Sequence, residues 1–519
     1  MKPPTEPRRP DPRRPLPRSA RVATAGVAAA LGCSLLAGCF AGSDEPTARS
    51  DGRISVAMLL PPRSGLSPLS DDAFKLSRWS TAETLVRLDA EGTPGPFLAT
   101  SWERTAPTAW RFEIRPGVTF HDGSELDATA VVGALTEAAG ASPLPRVLDG
   151  VELSARAVDD DTVEVATATP DPLLPQRLSS PQLAVLAPGA YDGEAVDPVG
   201  TGTGPFELTS VDGTSGATLD RYADYWGTPA KASGIDVSFV PDGTARAAAL
   251  RTGRADVVEA VPVGQAATLD DDLVVEVPMP RTNTLYLNNA KGPFRDPAVR
   301  AAARAAIDRA RLVDQVYEGR ADEAAGLLGP ALPWAAALRE DDAYTAALAQ
   351  RSRPARVDGV RITLATFTDR SELPEVAVQL QQQLEAAGFV VEQDVREYQF
   401  IESDALAGAF DAFILSRATV LDSGDPVAYL QSDFGCEGSF NIAQVCRPAI
   451  DRAITAAAAA EAGPERQRLV MAAEAAVLAG DTVVPLLHER VLQGEGTGVE
   501  GALRDPRERE LIDADTVAR

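Results

Sequence analysis

Two charged residues in the second half of the chain have the type and placement that ligand chemistry needs. Arg370 follows the apolar run 360–367, VRITLATF, and Asp422 follows 412–416, AFILS, within the segment TVLDSGDP (419–426). A guanidinium offers a fork of N–H donors that matches a carboxylate, and a carboxylate holds an ammonium group. A fixed cation and a fixed anion sharing one cleft would suit a zwitterion. Taken singly, each is more often a solvated loop charge, so the surrounding elements must decide.

Other chemistry is sparse. The chain has only two histidines, His121 and His488, and four cysteines. No HExxH or GxSxG arrangement occurs, and a hydrolase built on carboxylates alone would have 75 acidic residues to choose among. The glycines of GTGTGPF (200–206) lack the lysine of a phosphate loop and lead into a hairpin, so they read as a backbone bend. Cys436 and Cys446, in CEGSFNIAQVC, have no histidine nearby to complete a tetrahedral zinc shell. In an oxidising compartment they read as a disulfide, whose small ring stabilises the fold by about 2–3 kcal/mol in the chain-entropy account. No catalytic residue, metal or cofactor is expected.

The compartment follows from the N-terminus. Residues 1–21 carry Lys2, Arg8, Arg9, Arg13, Arg14, Arg18 and Arg21 against Glu6 and Asp11, and 22–38 is an uncharged, weakly polar or apolar run too short to span a bilayer. Leu36-Ala37-Gly38-Cys39 resembles the lipobox of bacterial lipoproteins. The resemblance implies a signal peptide over 1–38, acylation of Cys39, and a lipid-anchored chain on the extracytoplasmic face of the cell membrane. Arg13-Arg14 leaves twin-arginine export open beside the general route. Cys33 leaves with the leader. Removing its net +5 takes the chain from −26 to −31. So acidic a surface disfavours nucleic acid and anionic lipid as partners.

The remaining 480 or so residues are enough for two or three domains. A tether is expected over 39–52 and a first strand over 53–60. Trp110–Ile114 alternates as a strand, Asp127 can cap a helix running to Ala138, and Phe206–Val211 with Ala217–Tyr222 reads as a hairpin turning at Asp212-Gly213. In the second half a helix over 297–316 precedes a strand over 360–367, a helix over 374–387 ended by Gly388, and strands over 389–391 and 412–416. Strand, helix, strand implies parallel pairing with right-handed crossovers. Two Ala-rich helices are expected to part at Gly463-Pro464. Ligands of open parallel sheets bind beyond the carboxyl ends of the strands, which is where Arg370 and Asp422 fall.

Segments spread over nearly the whole chain resemble the peptide and nickel-binding family of ABC-importer solute-binding proteins. They include ETLVRLDAEGTPGPFLATSWE (83–103), WRFEIRPGVTFHDGSELDATAVVGAL (110–135), GTGPFELTSV (202–211), RYADYWG (221–227), ALRTGRADVV (249–258), FRDPAVRAAARAAIDRARLVDQVYEGRA (294–321) and VVPLLHER (483–490). The resemblance implies an α/β protein of the periplasmic-binding-protein-like type II fold, with two lobes joined by a hinge. Lobe 1 would cover 53–280 with an inserted subdomain near 90–190, lobe 2 would cover 281–488, and 489–519 would return to lobe 1. It also implies capture of a ligand, a peptide first of all, and delivery to a membrane permease. Asp422 matches the position where peptide binders hold the ligand's amino group, with Asp425-Pro426 at the following turn. Thr419 stands where many of them carry tryptophan. Arg370 lies near their carboxylate-holding arginine. A metal chelate or a sugar are the other ligand classes in view. His121 and His488 fall inside family stretches and are expected to be scaffold.

Overall fold

The computed structural model describes residues 52–89, 92–330 and 332–519. The leader, Cys33 and the expected acylation site Cys39 lie outside the described residues.

One 11-stranded mixed sheet organises the chain. From one edge it runs Phe389–Arg396, Val360–Phe367, Ala412–Ala418, Val274–Leu287, Val483–Glu495, Val257–Val261, Arg53–Met58, Gly234–Phe239, Gly216–Arg221 and Phe206–Asp212, with Ala321–Glu323 pairing off this path. Val360–Phe367 is parallel to both Phe389–Arg396 and Ala412–Ala418, as the strand-helix-strand rhythm requires. Arg53–Met58 is likewise parallel to Gly234–Phe239 and Val257–Val261. Joining these two parallel groups are the long antiparallel strands Val274–Leu287 and Val483–Glu495.

The apolar side chains divide among three main cores. One lies with the second-half strands and helices, around residues such as Leu285, Leu364, Leu380 and Ile414. Another lies under Arg53–Met58 and the hairpin, where the C-terminal residue Ile512 inserts beside Ile54, Trp79 and Phe206. The third, around Phe112, Val131, Leu135 and Val163, joins a separate four-stranded antiparallel sheet to the helix Ala128–Gly140. Asp127 caps that helix by accepting from the Ala130 amide.

Several elements differ from the sequence reading. The expected helix over 297–316 is two helices, Pro297–Ala306 and Arg309–Val316, because the Asp308 side chain accepts from the Arg311 amide and starts a new one. The strand expected over 389–391 extends to Arg396, since Val360–Phe367 offers it a full-length parallel partner. The first Ala-rich helix ends at Ala459, and Gly463 stands at the start of the second, Pro464–Leu478. The glycine stretch bends at Gly200, where φ is 66°. Gly202 and Gly204 serve close approach instead: a Cβ on either would sit 2.0 Å from a carbonyl oxygen of Thr81 or Ser80.

Candidate ligand cavity

A cavity of about 130 Å³ lies where three strands end, room for roughly four water molecules at about 30 Å³ each. Its walls come from the carboxyl ends of Arg53–Met58, Val360–Phe367 and Ala412–Ala418, drawn from both parallel groups of the sheet. Phe74, Phe367, Leu415, Leu421, Tyr398 and Phe440 supply apolar and aromatic surface. Seven cationic side chains line it, Arg63, Lys75, Arg78, Arg146, Arg281, Arg370 and Arg417, against three acids, Asp71, Glu259 and Asp369.

Most of these cations are anchored by carboxylates set behind them. Glu508, from the C-terminal segment, receives Arg281 through two close hydrogen bonds and Arg78 Nη2 at 3.2 Å. Burial alone would raise the Glu508 carboxyl, but Arg281 and Arg78 override it and hold it at about 2. Arg78 also pairs closely with Glu259, and Arg281 donates to the Ser416 carbonyl at 3.1 Å. Arg370 is held much more loosely, its one hydrogen bond among the described residues running from Nη1 to Glu489 at 3.4 Å. Glu489 meanwhile accepts from the Ser416 hydroxyl.

Asp422 sits in a different setting. Its side chain is 2% exposed and accepts from Arg146 Nη2 at 3.0 Å and Arg417 Nη2 at 3.4 Å. Arg417 is further fixed by Asp433, at 3.0 and 3.1 Å, and Arg146 and Arg63 both pair with Asp71. Burial works against the Asp71 charge, yet Arg146, Arg63 and Arg417 hold its carboxyl below the ordinary range. Phe440 lies beneath this cluster, with the Arg417 and Arg146 guanidiniums 5.0 and 5.4 Å from its ring centre.

Of the four residues singled out for the ligand, Arg370 lines the cavity, and Asp422 lies one layer behind it, covered by Arg146 and Arg417. Thr419 is fully buried and is not part of the lining. Asp425 is likewise outside it: its carboxylate caps Pro426–Phe434 through the Val427 amide and pairs with Arg466 at 2.9 Å. Cys436 and Cys446 are bonded, with Cα atoms 4.4 Å apart, and the ring they close carries Phe440 into the cavity wall. The two histidines are scaffold. His121 Nε2 bonds the Gly204 carbonyl oxygen and His488 Nδ1 the Thr282 hydroxyl, each at 2.9 Å, and burial lowers both to about 4.

The sequence reading did not single out Arg146, Arg281, Arg417, Glu508 or Phe440. Arg417 carried a legible signal, a lone charge inside the otherwise uncharged strand Ala412–Ala418. Arg146 carried none, because its partner Asp422 is 276 positions away.

Residues 93–441 match the family model described as bacterial extracellular solute-binding proteins, family 5 Middle. The nickel-binding protein NikA of Staphylococcus aureus is 24% identical over 373 residues, 69% of this chain and 73% of that protein. The glutathione-binding protein GsiB of Escherichia coli O157:H7 is 30% identical over 232 residues, 43% of this chain and 45% of its own length. Among solved structures, S. aureus NikA in complex with Ni(L-His)2 superposes with a TM-score of 0.80 at 21% identity, covering 90% of this chain and 100% of that one. Helicobacter pylori DppA with the peptide STSA gives 0.78 at 21% identity, covering 90% and 98%.

Proposed function

Since the chain belongs to family 5 of the bacterial extracellular solute-binding proteins, which serve ABC importers outside the cytoplasm, we propose that it captures a short peptide or peptide-like acid and passes it to a membrane permease. The observation that carries this reading is Arg370. It lines a cavity beyond parallel strand ends, and a single 3.4 Å hydrogen bond leaves most of its donor fork for a ligand carboxylate. In this reading Asp422 acts at second hand, by setting the position of Arg146 and Arg417.

The leader and Cys39 belong to the same proposal, as the export signal and lipid anchor that keep the receptor beside its permease. Replacing Cys39 with Ser is expected to release the protein from the membrane fraction, and continued sedimentation with membranes would sink the anchor. The two lobes, with their boundary near 280 and the insertion near 90–190, are proposed as the parts that enclose the ligand.

Native mass spectrometry of freshly purified protein tests the ligand class directly. A bound mass that fits a short peptide or peptide-like acid supports it, and a neutral sugar overturns it. A mass containing nickel would move the assignment to a chelate. Such a chelate would have to bring its own ligands, because no group of His, Cys, Asp and Glu able to hold a metal ion occurs among the described residues. The H. pylori and S. aureus proteins, with a peptide and with Ni(L-His)2, show both classes on this fold.

A further inference from the structure

Apart from Lys75, which pairs with Asp72 at 2.8 Å, the cationic lining of the cavity falls into two clusters that share no carboxylate. At one end Arg78, Arg281 and Arg370 are anchored by Glu259, Glu489 and Glu508. At the other, Arg63, Arg146 and Arg417 are anchored by Asp71, Asp422 and Asp433. The boundary between them passes through two consecutive residues of the strand Ala412–Ala418. Successive side chains of a strand point to opposite faces of its sheet. Accordingly the Ser416 hydroxyl joins the first cluster through Glu489, whereas the Arg417 guanidinium joins the second through Asp433 and Asp422. The clusters flank the strand end on two sides, and Leu415 and Leu421 add apolar surface to the same cavity.

Both ends keep donors in reserve. Arg370 uses Nη1 alone, and the hydrogen bonds of Arg417 among the described residues leave Nη1 unused. Neither residue has a nitrogen sealed away from accessible space without a partner. Meanwhile the acid expected to receive an ammonium group, Asp422, already accepts from two guanidiniums.

We infer that the cavity selects a solute with two acidic groups, one received by Arg370 and the other by Arg417, across a short apolar middle. This inference rests on the binding-protein reading above and narrows its ligand. It also names Arg417 as a specificity-determining residue.

The test uses the whole protein, stripped of bound ligand, in calorimetric titrations with Ala-Asp, Ala-Glu, γ-Glu-Gly and glutarate. Each is run beside its monoamide or monomethyl ester, with tri-alanine as the single-acid peptide. At least one diacid is expected to bind, and blocking either of its acid groups to weaken it at least about tenfold, the loss of one charge-assisted hydrogen bond. Arg417→Gln is expected to bind the diacid and its blocked form alike. Because this change touches a buried network and can impair folding, the comparison of free and blocked solutes on the unaltered protein stands by itself. Blocked forms that bind within about threefold of the diacid overturn the inference. If tri-alanine binds and no diacid does, the inference falls and the binding-protein reading survives. If nothing in the panel binds, the inference falls, and the co-purified mass decides the binding-protein reading.

Discussion

Two loops follow parallel strands of the same sheet and carry the two charges that the sequence brings forward, yet they treat those charges in opposite ways. After Val360–Phe367 the chain leaves Arg370 tied by one long hydrogen bond and facing a cavity. After Ala412–Ala418 it turns Asp422 inward, to be gripped by Arg146 and Arg417. Position beyond a strand end brings a side chain to the cleft. Whether its charge remains available depends on what distant segments lay against it. The open charge is suited to affinity and the closed one to holding the walls.

That contrast breaks most readily at Arg146. Replacing it with Met leaves the buried Asp422 with only the 3.4 Å bond from Arg417 and the part-exposed Asp71 with only Arg63, and the expected loss of unfolding free energy in urea is about 3 kcal/mol. A loss below about 1 kcal/mol would make the closed cluster a surface-like pair and erase the distinction.

Acid titration sharpens it from the other end. The folded pKa of Glu508, about 2, lies below its ordinary 4.5. The unfolded chain therefore binds more protons between those values, and the stabilisation, present above about pH 4.5, drains away as pH falls toward 2, by on the order of 3 kcal/mol. Glu508→Gln is expected to make the acid limb of the stability curve shallower by one proton. An unchanged slope would show that Arg281 and Arg78 do not depend on this acid.

Removing the disulfide with Cys436→Ser and Cys446→Ser is expected to cost about 2–3 kcal/mol. Because Phe440 sits inside the ring and under Arg417, ligand affinity should fall as well. A purely thermodynamic loss with unchanged affinity would detach the ring from the cavity.

The smallest stability effect is expected at the open charge itself. Arg370→Met should shift unfolding by about 1–2 kcal/mol, since the buried Glu489 gives up its one ion pair among the described residues but keeps its hydrogen bonds from Ser416, Asn283 and Tyr317, while weakening binding of a carboxylate ligand at least about tenfold. Asp422→Asn supplies the complementary reading. If Asp422 acts through Arg146 and Arg417, a peptide and its N-acetylated form lose equal affinity. A loss confined to the free-amine form would return Asp422 to direct contact with the ligand.

Periodicity and caps made much of the scaffold legible. The strand Val360–Phe367 matches its apolar run residue for residue, and Asp127 and Pro464 mark helix starts as their chemistry requires. The break at Asp308 is hidden because the helical pattern continues through it, while the backbone turns extended at Ile307 and Asp308, where the Asp308 amide donates to Gln383 and its side chain accepts from the Arg311 amide. The site was half legible for a different reason. Arg370 and the neighbourhood of Asp422 follow from topology, which local sequence reports. Arg146, Glu508 and Phe440 reach the cavity from remote segments, and a single sequence carries no record of such meetings.

The cavity lining is cationic, seven Lys and Arg against three acids, while the chain as a whole carries −26. An anionic solute therefore approaches against a repulsive far field and meets attraction only near the arginines. Salt screens the first far more than the second, because charges beyond about 10 Å are screened at 0.1 M ionic strength whereas buried ones are little affected. Capture should thus quicken as ionic strength rises while release barely changes, the reverse of an electrostatically steered encounter. A receptor built this way would gain affinity for an anionic nutrient in brackish surroundings, and stopped-flow binding at two salt concentrations would reveal it.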